Sequence, residues 1–421
     1  MAFITYYRKD TIFSFNALIG ALETDDETKN VDIYYIRNKK ELTKKIREFS
    51  SKYRKVVAGF SLYTTQIIDY QAIVNEIRKL EKKNIILIAG GAHPSGDPLG
   101  SLKMGFDVVF LGEAERSIIE FVKRIKNNQG YENIEGIAFV DNKYKLIKNK
   151  KAYRIDLNKY PPFPLINTRF GAIEIARGCP HNCYFCQTSF MMGTEVKYRS
   201  IDNVCKYIKI LKNENLIDIR FITPDAFSYG SVNGKDVNIS KIEELLIRVK
   251  KIIGKNGRIF FGSFPSEVRP EHVNREILEI IKQYADNDNL IIGAQSGSQR
   301  MLDLCNRGHS IEDVYNAVEI TRKAGFNVNV DFIFGLPGEK KEDQMKTLAV
   351  MKDLIGMGAK IHAHYFIPLP NTPFSNTRPT KIDEKTQEFI QRNLAQIYGN
   401  FRKQEKLAQK VWNKVLKKSR I

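Results

Sequence analysis

The sequence predicts an α/β protein in which a doubly wound parallel sheet is followed by a partial TIM-type barrel of six strand–helix units. Short apolar runs alternate with helical stretches over residues 1–126, and the alternation resumes at residue 172. Such alternation is typical of parallel sheets covered by helices. A proline-rich stretch at 160–164 lies between the two series and is expected to act as a stiff linker.

The first series predicts strands at 31–36, 56–61, 85–89 and 107–112, and helices at 39–53, 67–82 and 115–126. Ligands of such sheets bind at the carboxyl ends of the strands. The residues that end three of these strands are Ser61 with Leu62, Gly90 with Gly91, and Gly112. Paired glycines allow a ligand to approach the backbone closely, so this edge is a candidate binding site.

Domain boundaries follow from the same pattern. Residues 1–126 form the first domain, and 127–170 form a connector with a hairpin (137–140 and 144–147) and the proline-rich linker. Residues 171–375 form the barrel, and 376–421 form a basic, helical tail.

The second series predicts barrel strands at 172–176, 219–222, 258–262, 290–293, 328–334 and 360–366. Six units are too few to close an eight-unit barrel, and residues that follow the strands lie on its catalytic face. The polar or turn-forming residues in these positions are Thr223, Pro224, Asp225, Ser263, Glu267, Gln295, Ser296, Arg300, Gly335 and Pro337.

Three of the five cysteines, Cys179, Cys183 and Cys186, have the spacing C-x-x-x-C-x-x-C. Thiolates in one loop suit zinc or an iron–sulfur cluster. A structural zinc site takes four protein ligands, and the remaining cysteines, Cys205 and Cys305, form no second ligand pair. Three thiolates therefore favour a 4Fe–4S cluster with one open iron, with a zinc knuckle or a disulfide as alternatives. Cys205 and Cys305 are expected to be structural.

The cysteine loop resembles that of the radical S-adenosylmethionine (SAM) enzymes. The resemblance implies that the open iron binds SAM and that Phe185 lies near the adenine. It further places Thr223, Pro224 and Asp225 at the SAM amino group, Ser263 and Glu267 near the ribose, and Gly335 and Pro337 beside the adenine. Gln295 and Ser296 belong with Arg300 to a signature of SAM-binding residues, in which the resemblance implies that the arginine pairs with the SAM carboxylate.

The first domain is similar to the cobalamin-binding domain that precedes many radical SAM domains. The resemblance implies a cobalamin site formed by Ser61, Leu62, Gly90, Gly91 and Gly112. The D-x-H-x-x-G motif, which carries the cobalt-ligating histidine of cobalamin mutases, keeps only its glycine in residues 14–20. Cobalamin is therefore expected to bind without a histidine ligand, and a vestigial domain is the alternative. His93, beside Pro94, is expected to be a hydrogen-bonded loop residue.

The resemblance implies an enzyme that cleaves SAM reductively, with electrons from a ferredoxin- or flavodoxin-like donor. With cobalamin, methyl transfer to an unactivated carbon or a phosphorus centre is the favoured outcome. Radical rearrangement or cyclisation, methylthiotransferase-like RNA modification, and a non-catalytic cluster or cobalamin sensor are the alternatives. Methylthiotransferases hold a second cluster before this domain, whereas no cysteine precedes Cys179. The sequence does not identify the substrate.

The composition narrows the class of protein. The chain is 43% hydrophobic, which supports a packed core, and no apolar run reaches the length of a membrane span. A cytoplasmic location is expected.

The net charge of +19 fits either the dispersed charges of a heat-adapted protein or a surface for nucleic acid, and the dispersion of the charges favours the first. The tail at 381–421 is expected to close the barrel, with an anionic partner as the alternative.

Overall fold

The computed structural model describes residues 1–150 and 154–413. The chain divides into two compact units. Of the described residues, unit 1 comprises 1–150, 154–171 and 369–371, and unit 2 comprises 172–368 and 372–413.

Unit 1 contains, in order, β1 (Ala2–Tyr6), α1 (Ile12–Leu22), β2 (Asp32–Ile36), α2 (Lys39–Lys52), β3 (Val56–Ser61), α3 (Ile67–Arg78), β4 (Ile85–Gly90), α4 (Ala92–Gly96), α5 (Pro98–Lys103), β5 (Val108–Phe110), α6 (Glu115–Lys126), β6 (Ile137–Val140) and β7 (Leu146–Lys148).

These strands form one sheet in the order β2-β1-β3-β4-β5-β6-β7. The first five are parallel, and β6 and β7 are antiparallel. Consecutive residues of β3 serve opposite faces: Val56 and Ala58 belong to one apolar cluster and Val57 to another. Burial on both faces explains the continuous apolar runs, and the predicted doubly wound sheet is confirmed. The strand order reverses between β1 and β3, where ligands of such sheets bind.

Two parts of unit 1 differ from the prediction. β1 and α1 were not assigned from the sequence, although β1 lies inside the sheet with every residue buried. The hairpin β6–β7, expected in a connector, extends the same sheet.

Unit 2 contains β8 (Ile173–Glu174), β9 (Ala176–Arg177), α7 (Thr188–Met192), β10 (Lys197–Tyr198), α8 (Ile201–Asn213), β11 (Asp218–Ile222), α9 (Ile239–Ile253), β12 (Arg258–Phe260), α10 (Arg275–Tyr284), β13 (Asn289–Gln295), α11 (Gln299–Leu304), α12 (Ile311–Lys323), β14 (Asn327–Phe334), α13 (Lys341–Gly356), β15 (Lys360–Tyr365), α14 (Glu384–Arg392), β16 (Ile397–Tyr398) and α15 (Phe401–Val411).

The barrel wall consists of two parallel sheets, β12-β11-β8 and β13-β14-β15-β16. A parallel bridge between Val268 and Ile292 links them. The six predicted strands are present as β8, β11, β12, β13, β14 and β15. The predicted partial barrel is confirmed.

The tail is less uniform than expected, because the two-residue strand β16 pairs with β15 between helices α14 and α15. Phe401 of α15 packs against Phe334 and Tyr365. The tail thus covers the last barrel strands, as expected. The predicted helical residues 414–421 lie outside the described residues. In the part of the chain that is described, helices long and apolar enough to cross a membrane are absent.

Candidate active site

The cysteine loop leaves β9 through a turn that only glycine can make. Gly178 has a φ of +98°, and a Cβ there would lie 2.6 Å from the carbonyl oxygen of Glu195. The next residue, Cys179, donates its backbone N–H to the carbonyl oxygen of Gly193 at 3.0 Å. The start of the loop is therefore fixed by its own backbone.

The middle of the loop is bound to the turn that follows α11. Tyr184 donates its N–H to the carbonyl oxygen of Cys305 at 2.9 Å. The amide Nδ2 of Asn306 donates to the carbonyl oxygens of His181 (3.0 Å) and Asn182 (3.2 Å). These bonds hold the cysteines against a segment more than a hundred residues away in sequence.

The spacing of the three loop sulfurs favours a cluster over a single zinc ion. Two thiolates bound to one zinc at ~2.3 Å lie about 3.8 Å apart. The sulfurs of Cys179, Cys183 and Cys186 do not all lie within 4.8 Å of one another; among the described residues, only the donor atoms of Asp331, His362 and His364 form such a set of three. The three sulfurs are therefore farther apart than one zinc ion requires. All five cysteines are free thiols, so the disulfide alternative is not supported.

The surroundings of these thiols affect their charge in two opposite ways. Burial raises the pKa of Cys179 to about 11 and raises the pKa of Cys186, which disfavours the free thiolates. Two guanidinium groups approach Cys183, with Nη1 of Arg307 at 3.6 Å from its Sγ and Nη1 of Arg269 at 4.0 Å. The residues present fit a three-cysteine iron–sulfur cluster with cationic neighbours.

A cluster of polar side chains surrounds Gly293, near the end of β13. A Cβ at Gly293 would lie 2.7 Å from Nε2 of Gln295, 2.8 Å from Nη2 of Arg307 and 3.7 Å from Oε2 of Glu267. Burial raises the pKa of Glu267 to about 7, and the nearby Arg307 charge opposes the rise. The missing side chain at Gly293 thus allows Gln295, Arg307 and Glu267 to meet.

Several buried polar atoms of this region have no hydrogen-bond partner within residues 1–150 and 154–413. They are Oγ of Ser263, Nε of Arg307, Nε2 of His181, Oε2 of Glu271 and Nδ1 of His309. A buried polar group without a partner costs free energy. A ligand with both donors and acceptors would satisfy this set, and SAM has an ammonium, a carboxylate and ribose hydroxyls.

Asp225 lies in the same interior and is already hydrogen-bonded. Its Oδ2 lies 2.6 Å from Nδ1 of His272, and its Oδ1 accepts from the backbone N–H of Arg269 at 3.4 Å. Burial tends to raise the pKa of Asp225, but the hydrogen bond and charge of His272, with the charges of Arg269 and His181, lower it overall. Thr223 donates its hydroxyl to the carbonyl oxygen of Asp225 and shapes this turn. Asp225 stays a prediction for the SAM ammonium.

The two arginines of the segment that follows β13 have different surroundings. Arg300, predicted for the SAM carboxylate, forms an ion pair with Asp343 and donates to the carbonyl oxygen of Gly338 at 2.8 Å. Arg307 instead approaches Cys183, is 6% exposed and keeps Nε without a partner among the described residues. The sequence analysis did not select Arg307, Arg269 or His272, although Arg307 follows Arg300 by seven residues in the same polar segment.

The predicted adenine-side residues form an apolar wall. Phe185 packs against a buried cluster that includes Met301, Leu336 and Phe366. Gly335, with a φ of +78°, donates its N–H to Oε2 of Glu339 at 2.7 Å and is followed by Leu336 and Pro337. Ser296 is buried beside the hydroxyl of Thr347 at 3.4 Å. Phe185 and the turn after β14 therefore share one wall.

The predicted cobalamin residues lie at the carboxyl edge of the unit 1 sheet. Gly91 has a φ of +92°, and a Cβ there would lie 2.9 Å from Oγ of Ser61 and 3.2 Å from the backbone of Leu62. Gly112, also at positive φ, donates its N–H to Oγ of Ser95. A Cβ at Gly90 would meet nothing closer than 3.8 Å. The fold itself requires glycine at 91, whereas a Cβ at Gly90 would fit without a clash.

His93 is hydrogen-bonded, as expected, although it lies in the short helix α4 rather than in a loop. Its Nδ1 lies 3.1 Å from Oγ1 of Thr64, and its ring is 1% exposed. Burial lowers its pKa to about 4. The side chain therefore has a structural partner of its own.

Comparison with protein families gives a match within each unit. Residues 173–351 match the radical SAM superfamily, and residues 15–122 match the B12 binding domain. Similar curated proteins include a putative methylthiotransferase of Methanocaldococcus jannaschii, 28% identical over 68% of this chain and 63% of that protein. An uncharacterized methyltransferase of Pyrococcus horikoshii is 24% identical over 73% of this chain and 66% of its own length. The matched regions thus span about two thirds of these relatives.

Solved structures share the α/β fold over most of this chain. The radical SAM methyltransferase TsrM of Kitasatospora setae, solved with cobalamin and a [4Fe-4S] cluster, superposes with a TM-score of 0.69 over 89% of this chain and 74% of that chain, at 15% identity. The cobalamin-dependent SAM radical enzyme OxsB superposes with a TM-score of 0.62 over 83% and 51%, at 16% identity. The three cofactors predicted from the sequence, a 4Fe–4S cluster, SAM and cobalamin, are those of the two matched domain families.

Proposed function

We propose that this chain, in which residues 173–351 match the radical SAM superfamily and residues 15–122 match the B12 binding domain, transfers a methyl group from SAM to an unactivated carbon or a phosphorus centre. The observation that carries the proposal is that a three-cysteine loop with unpartnered buried polar atoms and a cobalamin-type sheet edge occur in one chain. The cluster would supply an electron to SAM, and cobalamin would supply a methyl carrier.

The residues of unit 2 have separate roles in this proposal. Cys179, Cys183 and Cys186 hold the cluster. Nε of Arg307 donates to the SAM carboxylate, for which it is free among the described residues. Asp225, oriented by His272, accepts from the SAM ammonium through the remaining lone pairs of its oxygens.

The remaining SAM contacts would come from two sides of the same interior. Ser263, whose buried hydroxyl has no hydrogen-bond partner in the described chain, and Glu267 contact the ribose. Phe185 and the turn at Gly335 and Pro337 provide the apolar wall for the adenine. These residues bind and orient SAM and keep water away from the reacting bond.

In unit 1, the open space at Gly90 is proposed to admit cobalamin at the sheet edge formed with Ser61, Leu62, Gly91 and Gly112. A histidine ligand to the cobalt is not needed in this proposal, because His93 is buried and its Nδ1 is hydrogen-bonded to Thr64. Bound cobalamin should therefore show no imidazole-nitrogen splitting in the EPR spectrum of its reduced form. Such splitting would assign a histidine ligand instead.

The relatives' names favour one competing reaction, methylthiotransfer to RNA. The first 178 residues contain no cysteine, and Cys205 and Cys305 are buried in the barrel unit. A second cluster of the methylthiotransferase type would lack cysteine ligands in this chain. This observation supports methyl transfer over methylthiotransfer.

The test is single-turnover SAM chemistry on the anaerobically purified chain with reconstituted cluster. With reduced cobalamin, we expect S-adenosylhomocysteine to form in an amount close to the bound cobalamin. Without cobalamin, that product should be lost. Formation of 5′-deoxyadenosine alone, with or without cobalamin, would favour rearrangement or cyclisation, and the absence of both products would favour a sensor.

A further inference from the structure

Strands β14 and β15 present two histidines and one aspartate on one face. Along β14, Val328, Val330, Phe332 and Phe334 are buried, whereas Asp331 is only partly buried. Along β15, His362 and His364 occupy the corresponding partly buried positions. In the parallel register, Asp331 is paired with His362 and Ile333 with His364, so their side chains point to the same side.

The three side chains approach one another closely. Oδ1 of Asp331 lies 3.2 Å from Nδ1 of His362, and Oδ2 of Asp331 lies 4.0 Å from Nε2 of His364. One donor atom from each residue lies within 4.8 Å of the other two. The 4.0 Å separation is too long for a hydrogen bond, but two bonds of about 2.0–2.2 Å to a shared ion can span it.

This face continues towards the cysteine loop. Ile333, two residues after Asp331 and on the same side of β14, packs in the apolar cluster that includes Phe185, Met301 and Leu336. The charge of Asp331 also reaches Glu267, whose environment was described above. The aspartate and the histidines thus border the same interior as the proposed SAM residues.

We propose that Asp331, His362 and His364 bind a divalent transition-metal ion, with zinc or ferrous iron as the chemical class. Two imidazoles and one carboxylate are a ligand set used by catalytic zinc and non-haem iron sites. Such a set leaves coordination positions of the ion open, and at this site those positions would face the barrel interior. The site is separate from the three-cysteine loop and has no sulfur ligand.

One imidazole is already oriented for this role. The ring of His362 stacks on Tyr398 of β16, with the centroids 4.5 Å apart and the planes 6° from parallel. Its Nδ1 thereby points to the carboxylate of Asp331. Fixing the ligand before the ion arrives reduces the entropy lost on binding.

The experiment measures zinc binding by the full-length, cluster-loaded chain without SAM, so its outcome does not depend on the proposed methyl transfer. Calorimetric titration with zinc chloride is combined with X-ray absorption at the zinc edge, to which the iron cluster does not contribute. We expect one zinc per chain with nitrogen and oxygen neighbours near 2.0 Å. A sulfur shell near 2.3 Å would assign the zinc to the cysteines and overturn the proposal.

Variants locate the ion. His364→Ala and Asp331→Asn should each weaken zinc binding by at least about 10-fold, because loss of even an indirect partner commonly costs 10- to 100-fold. Asn329→Ala, on the same face of β14, is the matched control and should bind as the parent does. Equal affinity in Asp331→Asn and the parent would refute the site. If His364→Ala or Asp331→Asn misfolds, the zinc affinity of His362→Gln tests the site in the same way.

Discussion

The two candidate cofactor sites differ in how completely the protein satisfies its own groups. In unit 2, the region of the cysteine loop keeps Ser263, Arg307 and His181 with buried polar atoms that no described residue contacts by a hydrogen bond. At the sheet edge of unit 1, Gly91 is required by its own φ and neighbours, and His93 is bonded to Thr64. Unmet hydrogen-bonding capacity is therefore the stronger indication of a ligand.

The largest effect is expected at the cluster. Cys183→Ala should leave little iron and no detectable SAM cleavage, because each of three thiolates holds one iron of the cluster. Iron content and product formation after anaerobic reconstitution measure this. Cys205→Ala, a buried cysteine on α8, is the control and should keep both. Full iron loading of Cys183→Ala would refute the cluster assignment.

The cobalamin edge is best tested at Gly90 rather than at Gly91. Gly91→Trp would be expected to block uptake, but any side chain there also strains the backbone and meets Ser61. Gly90→Trp adds bulk where a Cβ has room, so it should abolish hydroxocobalamin binding without unfolding unit 1. Absorbance of the protein after gel filtration measures uptake. Gly90→Ala should still bind.

A native protein that takes up no hydroxocobalamin would indicate a vestigial domain. Uptake by Gly90→Trp equal to that of the native protein would place the cofactor elsewhere. Either result would mean that no cobalamin binds at the sheet edge of unit 1. The two sites would then differ more strongly, because only the region of the cysteine loop in unit 2 would need a ligand for its buried polar atoms.

The two arginines after β13, Arg300 and Arg307, are predicted to contribute unequally to the affinity for SAM. Arg307→Met should weaken SAM binding by about 1.5–3 kcal/mol, or roughly 10- to 150-fold, through loss of a charge-assisted hydrogen bond. Arg300→Met should leave the affinity near the parent value, because its guanidinium is paired with Asp343. Equilibrium dialysis with labelled SAM compares them in samples of equal iron content. The opposite ranking would restore Arg300 as the carboxylate partner.

The smallest expected effect is on stability, at Glu339. Burial raises the pKa of this carboxyl to about 8, so its folded-state pKa lies above the ordinary value of about 4.3 in an unfolded chain. The folded state then binds more protons than the unfolded state between these values, and stability falls as the pH rises. Glu339→Gln, which mimics the protonated form, should remove this contribution.

Urea unfolding at pH 6 and pH 8 measures the effect. The difference in free energy of unfolding between the variant and the parent should grow by up to about 2 kcal/mol at the higher pH. A difference that does not change with pH would show that Glu339 has no raised pKa in the folded protein.

The sequence predicts the architecture better than the contacts within the site. Apolar runs and turns locate four of the five parallel strands of unit 1 and miss β1, which lies before the first clear strand–helix repeat. The signature after β13 contains Arg300 and Arg307, but only folding brings Asp343 to Arg300 and Cys183 to Arg307. Likewise, the H-x-H spacing of His362 and His364 is visible, whereas the register that adds Asp331 is not.

The bonds from Asn306 to the cysteine loop have a consequence for biosynthesis. The amide of Asn306 holds the carbonyl oxygens of His181 and Asn182, which precede it by 125 and 124 residues. While the ribosome is still synthesising the intervening strands, these contacts are absent and the three thiols have no fixed arrangement. We therefore expect iron to be inserted only after residue 306 has been synthesised and its segment has packed against the cysteine loop.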